Sequence, residues 1–182
     1  YVGVGKYNSK NSKKIYNKWK NMIRRCYNKE AQQKFPTYKD VIVCEEWKCF
    51  QNFAKWYEEN CKPWMDNTWH IDKDILSADC KLYSPETCSF IPQEINQLFV
   101  KNFFRESGLP KGVYSSGYKF SARININKKL LLLGTFNTFE EAFQVYRVVK
   151  EAYIKEKADE WKDKIEPRVF QAMYNYEVKI GG

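Results

Sequence analysis

The stretch Tyr118-Lys119-Phe120-Ser121-Ala122-Arg123-Ile124-Asn125-Ile126 alternates without a break. Tyr118, Phe120, Ala122, Ile124 and Ile126 fall on one face of an extended chain, and Lys119, Ser121, Arg123 and Asn125 on the other. A period of two is the pattern of a half-buried strand, apolar toward a core and polar outward. Gly112-Val113-Tyr114 before it and Leu130 to Phe136 after it predict two further strands, with Asn127-Lys128-Lys129 as the second turn. Thr138 then opens a helix, and Glu141 three residues on completes a capping box. Ala142, Val145, Tyr146, Val149 and Ala152 continue that helix as an apolar stripe. The expected arrangement is a helix on one face of a three-stranded sheet, with the other face open. From Lys111 to Leu133 the basic residues are Lys111, Lys119, Arg123, Lys128 and Lys129, and there is no acid, whereas a merely solvated face mixes signs. A flat, basic sheet face fits a duplex groove.

Upstream, charge is again uneven. The first 39 residues hold Lys6, Lys10, Lys13, Lys14, Lys18, Lys20, Arg24, Arg25, Lys29, Lys34 and Lys39 against Glu30 alone. Such an arm suits phosphates. Ile15, Trp19, Met22, Ile23 and Cys26 recur within it at helical spacing, which predicts a helix over 13–27 with Lys14, Lys18, Arg24 and Arg25 off the buried stripe. Val41 to Cys44 reads as a short strand. Trp47, Phe50, Phe53, Ala54 and Tyr57 mark a helix over 45–59 whose aromatic stripe reads as core. Pro63 and Trp64 open a loop. Residues 69–93 read as strand, turn, strand and then helix, with Trp69 to Asp72 and Lys81 to Tyr83 as the strands. Pro92 suits a first helical turn, with Gln93 to Phe104 following. Ser107-Gly108-Leu109-Pro110 is the expected boundary between two patterned regions.

The 182 residues carry a net charge of +9, a sign that favours an anionic partner. No apolar run approaches the roughly 20 residues of a membrane span. The opening Tyr1-Val2-Gly3-Val4-Gly5-Lys6 is not a charged start followed by an apolar core, so neither a membrane partner nor a signal peptide is expected. Cys26, Cys44, Cys49, Cys61, Cys80 and Cys88 form no C-x-x-C pair. They read as free thiols in a reducing cytoplasm in preference to a structural zinc site built from Cys26, Cys44 and Cys88.

Gly112-Val113, Ala122-Arg123, Leu133-Gly134-Thr135-Phe136 and Glu140-Glu141-Ala142 stand in the order of the ethylene-response-factor (APETALA) DNA-binding domain, and about 55 residues resemble it. The resemblance implies three strands in the major groove of double-stranded DNA. The residues it brings forward are Tyr114, Lys119, Ser121, Arg123, Asn125 and Lys129, to which the basic run of the segment adds Lys111 as a DNA-binding candidate. Arg123 suits a guanine, because a guanidinium bonds O6 and N7 together. Leu132 stands where plant members carry an outward tryptophan, so their base preference does not transfer.

Trp19-Lys20-Asn21-Met22, Arg25-Cys26-Tyr27-Asn28, Val43-Cys44 with Trp47 and Phe50, Asp72-Lys73-Asp74 and Tyr83-Ser84-Pro85-Glu86-Thr87-Cys88 are together similar to phage HNH-type endonucleases. In phage and bacterial homing endonucleases that module precedes the same DNA-binding domain. The resemblance implies a divalent metal, magnesium or manganese, with Asp72 and Asn96 as ligands. Lys73 falls where a catalytic histidine is usual. His70, the one histidine of the chain, lies two residues before Asp72 and is the other candidate base. As the alternative for Asp72 and Asp74, both organise a turn.

The expected class is therefore α+β. An HNH-like, ββα-containing module with a basic arm spans 1–106, and a three-stranded antiparallel sheet packed on one long helix spans 109–165. A helical tail follows over 166–182. Its Val169, Phe170, Met173 and Tyr174 pack back on a module or on a partner, after a solvated helical stretch from Glu156 to Lys164. The function expected is that of a homing or nicking endonuclease. The alternative is a non-catalytic DNA-binding regulator, or a phage anti-defence factor that acts on host DNA or a host protein.

Overall fold

Ile15, Trp19, Met22 and Cys26 are all buried on one side of the first helix, α1 (Ser12–Tyr27), in the computed structural model, which describes residues 12–76, 80–99 and 108–180. Two compact units result, Tyr1–Asn96 and Gln97–Gly182. The division falls within a helix rather than at the glycine-proline stretch, and the C-terminal tail belongs to the second unit. Of the basic arm, Lys6 and Lys10 lie outside the described residues.

In the first unit α1 is followed by α2 (Lys29–Lys34), whose start is capped by the Asn28 side chain accepting from the Ala31 N–H. The expected single helix over 45–59 is two, α3 (Glu45–Lys48) and α4 (Phe50–Asn60), separated where Cys49 turns extended at φ −85° and ψ 121°. The aromatic stripe continues across that break. Trp47 and Phe53 are wholly buried, Trp47 lies 4.6 Å from Trp56, and Trp56 stacks on Phe90 at 5.3 Å. The Trp19 indole N–H donates to the Trp47 carbonyl at 2.7 Å and ties α1 to this core.

The strands pair differently from a simple hairpin. β1 (Ile42–Val43) runs parallel to β3 (Leu82–Tyr83), and β2 (Trp69–Asp72) runs antiparallel to β4 (Ser89–Pro92). The second strand expected over 81–83 therefore does not pair with Trp69 to Asp72. All four β4 residues are buried, so β4 lacks the alternation that marks a strand in sequence. Pro92 closes β4 rather than opening a helix, and α5 (Gln93–Leu98) follows at once. The expected extension of this helix to Phe104 lies outside the described residues.

The second unit holds β5 (Val113–Ser116), β6 (Lys119–Ile126) and β7 (Lys129–Phe136) as an antiparallel sheet in that order. Asn127 and Lys128 both have positive φ, which gives the β6–β7 hairpin the twist of its strands. Tyr118 lies fully exposed in the β5–β6 turn instead of joining the inward face. α6 (Phe139–Trp161) starts at the Thr138 capping box, with both reciprocal hydrogen bonds formed at 3.2 Å. Val113, Ala122 and Ile124 of the sheet meet Ala142, Phe143 and Tyr146 of α6 in one buried cluster. Gly112 allows the close approach: a Cβ there would sit 2.1 Å from a Tyr146 ring carbon.

Beyond the sheet, the buried stripe of α6 passes to Lys150, Tyr153, Ile154, Lys157 and Ala158, while Ala152 faces solvent. The reason is a second partner: α7 (Pro167–Tyr174) packs on α6 and buries Val169 and Met173 completely. The tail thus packs on its own unit, and the stretch from Glu156 is covered in part rather than solvated. Among the described residues no helix is long and apolar enough to cross a membrane.

Candidate functional site

Helical spacing that buries Ile15, Trp19 and Met22 turns Lys14, Asn17, Lys18, Asn21 and Arg25 to another side of α1. There they line a cleft of about 680 Å³ together with Asn67, His70, Ile71 and Tyr83. Among the described residues no acid lines it, and Lys13 adds a fourth cation. Lys18 donates to the Trp69 carbonyl at 3.3 Å. Burial, then Lys14 and Arg25, lower its pKa from the usual value. Arg25 lies 5.4 Å from the centre of the Tyr38 ring, which steadies its guanidinium. His70 makes no hydrogen bond among the described residues. Burial first, then Lys18 and Arg25, lower its pKa from the usual value, which favours the neutral imidazole. Lys14, Lys18, Arg25 and His70 are thus brought together, whereas Arg24 is exposed outside the cleft. Asn17, Asn21, Asn67 and Tyr83 escape a reading based on charge, although Asn17 and Asn21 share the three- and four-residue spacing of Lys14, Lys18 and Arg25.

The other candidates of this unit are placed differently. Lys73 is buried, donates to Asp74 at 2.5 Å and to the Cys80 carbonyl at 2.7 Å, and does not line the cleft. Its ammonium is thus held by an ion pair and a carbonyl. Asp72 Oδ1 accepts from the backbone N–H groups of Asp74 and Ile75, both at 2.9 Å. Burial raises its pKa against those bonds. Asp72 pairs with Ser89, whereas α5, which carries the half-buried Asn96, begins at the opposite end of β2, where Gln93 N–H donates to Thr68. Among the described residues no three of His, Cys, Asp and Glu group as metal ligands. Asp72 and Asn96 are therefore a poor fit to a divalent ion: one carboxylate oxygen is engaged by the backbone and burial favours the neutral acid. Cys26 and Cys88 are buried as thiols, their pKa values raised by burial to about 11 and about 12.

The second candidate surface is the outer face of the sheet. The register sets Tyr114 beside Ser121, Arg123 beside Leu132 and Asn125 beside Leu130, and opposed residues share a face. Arg123 lies 5.0 Å from the Tyr114 ring centre; its backbone N–H donates to the Gly112 carbonyl at 2.7 Å, and its guanidinium makes no hydrogen bond among the described residues. Lys119 and Asn125 are exposed on this face, whereas Lys129, also exposed, pairs with Ile126 and so belongs to the side of the sheet that faces α6. Two candidates lie away from the exposed outer face. Ser121 is 2% exposed and its hydroxyl donates to the Tyr114 carbonyl at 3.5 Å, so it supports the surface from within. Lys111 borders Tyr146 and Lys150 of α6, on the helix side of the unit. The sheet carries a bulge at Ala122/Arg123, where Arg123 is set opposite Leu132 and Leu133 is skipped.

Compared with known protein families, curated proteins and solved structures, the chain gives no match.

Proposed function

We propose that the chain binds double-stranded DNA, with the outer face of its three-stranded sheet reading bases and the α1 cleft holding phosphate. The observation that carries this reading is Arg123: a guanidinium steadied on Tyr114, without hydrogen-bond partners among the described residues, on a face without acids. Such a group is preorganised for two parallel bonds to a base edge or a phosphate. The resemblance of this unit to the ethylene-response-factor domain supports the same reading.

The test is fluorescence anisotropy on duplexes enriched from a random pool, repeated across salt. Six to eight phosphate contacts predict a log K against log salt slope of about −5 to −7. Removing Lys18 and Arg25 together should flatten that slope by about 2 without changing sequence preference. Arg123→Ala should lose about 1–3 kcal/mol, confined to one base position. A slope near zero would overturn duplex binding.

A second reading, DNA cleavage, is favoured by His70: a neutral imidazole in a cationic cleft has the chemistry of a general base beside a bound phosphate. Supercoiled plasmid is incubated with magnesium or manganese, and separately with a chelator. Metal-dependent nicking lost in His70→Ala supports it. Salt-sensitive binding without nicking leaves the non-catalytic regulator.

A further inference from the structure

Leu132 and Leu130 are 64% and 56% exposed, on the sheet face that also carries Arg123. Scattered exposed leucines are ordinary. These two are not scattered: each sits directly across from an outward polar residue of β6, Leu132 from Arg123 and Leu130 from Asn125. They add an apolar strip to a face on which every charged residue is basic, since Gly108 to Thr138 contains no Asp or Glu. A protein surface that needed only solubility, or only phosphate, has no use for that combination. A major groove has both halves of it: hydrogen-bonding base edges, and the C5-methyl group of thymine as its apolar feature.

We infer that Leu132 and Leu130 are specificity residues that read C5-methyl groups in the major groove, so that the preferred site places a methylated pyrimidine beside the guanine bound by Arg123. This rests on the duplex-binding reading above. The spacing suits it. Neighbouring strands lie about 4.8 Å apart, and base pairs rise about 3.4 Å, so Arg123 and Leu132 address the same or adjacent steps. The ring of Tyr114 steadies the guanidinium, and Leu132 is the cross-strand partner of Arg123 on the other side. The same chemistry extends to 5-methylcytosine, which offers an identical methyl group in the groove.

The experiment replaces thymine by deoxyuridine, one position at a time, in the duplex selected by the intact chain. Deoxyuridine pairs as thymine does and lacks only the methyl. The expected result is a three- to six-fold loss of affinity at one or two positions next to the essential guanine, the scale of one buried carbon. Leu132→Ser and Leu130→Ser, which leave no methyl to meet the base, should bind thymine and deoxyuridine duplexes alike. Arg123→Ala should still discriminate between them while losing the guanine preference. Equal affinity for thymine and deoxyuridine at every position overturns the inference and leaves duplex binding standing, and so do leucine variants that keep the intact chain's ratio. Dimerisation by sedimentation that is lost in Leu132→Ser, with no methyl discrimination, overturns it in favour of a second copy pairing along the β7 edge. Absence of duplex binding by the intact chain removes the underlying reading and the inference with it.

Discussion

Lys150 offers the sharpest test of how the second unit is held together. Its side chain leaves α6 beside Lys111, Tyr146, Tyr176 and Val178, and the residue is only 9% exposed. No carboxylate pairs with it among the described residues, and its ammonium lies 6.0 Å from the Tyr153 ring centre. Burial, then the charge of Lys111, lower its pKa from 10.5 to about 8. At about 1.4 kcal/mol per tenfold, that change corresponds to about 3 kcal/mol against the charged form, a large share of an ordinary domain's stability. The direction of the pH dependence follows. Below pH 8 folded and unfolded chains both hold the proton, and the full penalty stands. Between about 8 and 10.5 the unfolded chain holds more protons than the folded one, so stability rises with pH through that window. Lys150→Met keeps the length of the side chain without the charge. It should be more stable than the parent by about 3 kcal/mol at pH 7, and the gain should vanish as pH approaches 10.5. Urea unfolding followed by circular dichroism, with hydrogen exchange at the β6 amides to report this unit alone, measures the difference between the two proteins. Other titrating groups are common to both and cancel. A difference that stays constant from pH 7 to 10.5, or a variant less stable at pH 7, refutes the placement of Lys150 as a buried, unpaired cation.

Three further outcomes are expected. Gly112→Ala puts a methyl 2.1 Å from the Tyr146 ring at a φ of +84°, and should destabilise the second unit by about 2–5 kcal/mol in thermal unfolding. Thr138→Ala removes the acceptor of the Glu141 N–H and should cost about 1 kcal/mol, read as earlier hydrogen exchange in the first turn of α6. Asp72→Ala strips the acceptor from two backbone N–H groups and should cost about 1–3 kcal/mol in urea unfolding of the first unit, whereas Asp72→Asn keeps an Oδ1 there and should stay near the parent. Loss of nicking in the alanine variant alone is therefore a folding effect, and only the asparagine variant reports on the carboxylate.

What the sequence discloses depends on how far apart the cooperating residues lie along the chain. The sheet of the second unit is legible because alternation of Phe120, Ala122 and Ile124 with Lys119, Arg123 and Asn125 encodes the two faces locally. The capping box at Thr138 and Glu141 is legible for the same reason. Ser121 marks the limit. Alternation turns it outward, and the register then covers it beside Tyr114, because exposure depends on what the neighbouring strand carries. β4 is hidden by its success as a core strand, since four buried residues in succession leave no period to read. Missing it joins Trp69 to Asp72 with the wrong strand, and that shifts the expected position of Asp72 relative to Asn96. The α1 cleft is the least legible feature. Its lysines are apparent as charge, but their meeting with His70 depends on a contact between Lys18 and Trp69, separated by 51 positions.

The same contrast sorts the candidate residues by what they do. Lys73 and Lys111 belong to the basic count as surely as Lys18 and Arg123, and charge alone ranks them equally. Their surroundings do not. Lys73 is neutralised by Asp74 at 2.5 Å, and Lys111 is turned toward α6, where its field acts on Lys150. A cation that already has a carboxylate partner adds little to the field felt by an approaching phosphate, and one turned toward a helix presents no donor to a groove. Net charge therefore overstates the number of groups available to DNA. The cations gathered on one surface are Lys13, Lys14, Lys18 and Arg25 around the cleft of one unit, and Lys119 and Arg123 on the outer sheet face of the other. These sets differ in kind. The cleft gathers four cations with no acid among the described lining residues, which suits phosphate. The sheet interleaves cations with Tyr114, Asn125 and leucines, which suits base edges. Affinity and its salt dependence should accordingly be dominated by the first unit, and sequence preference by the second.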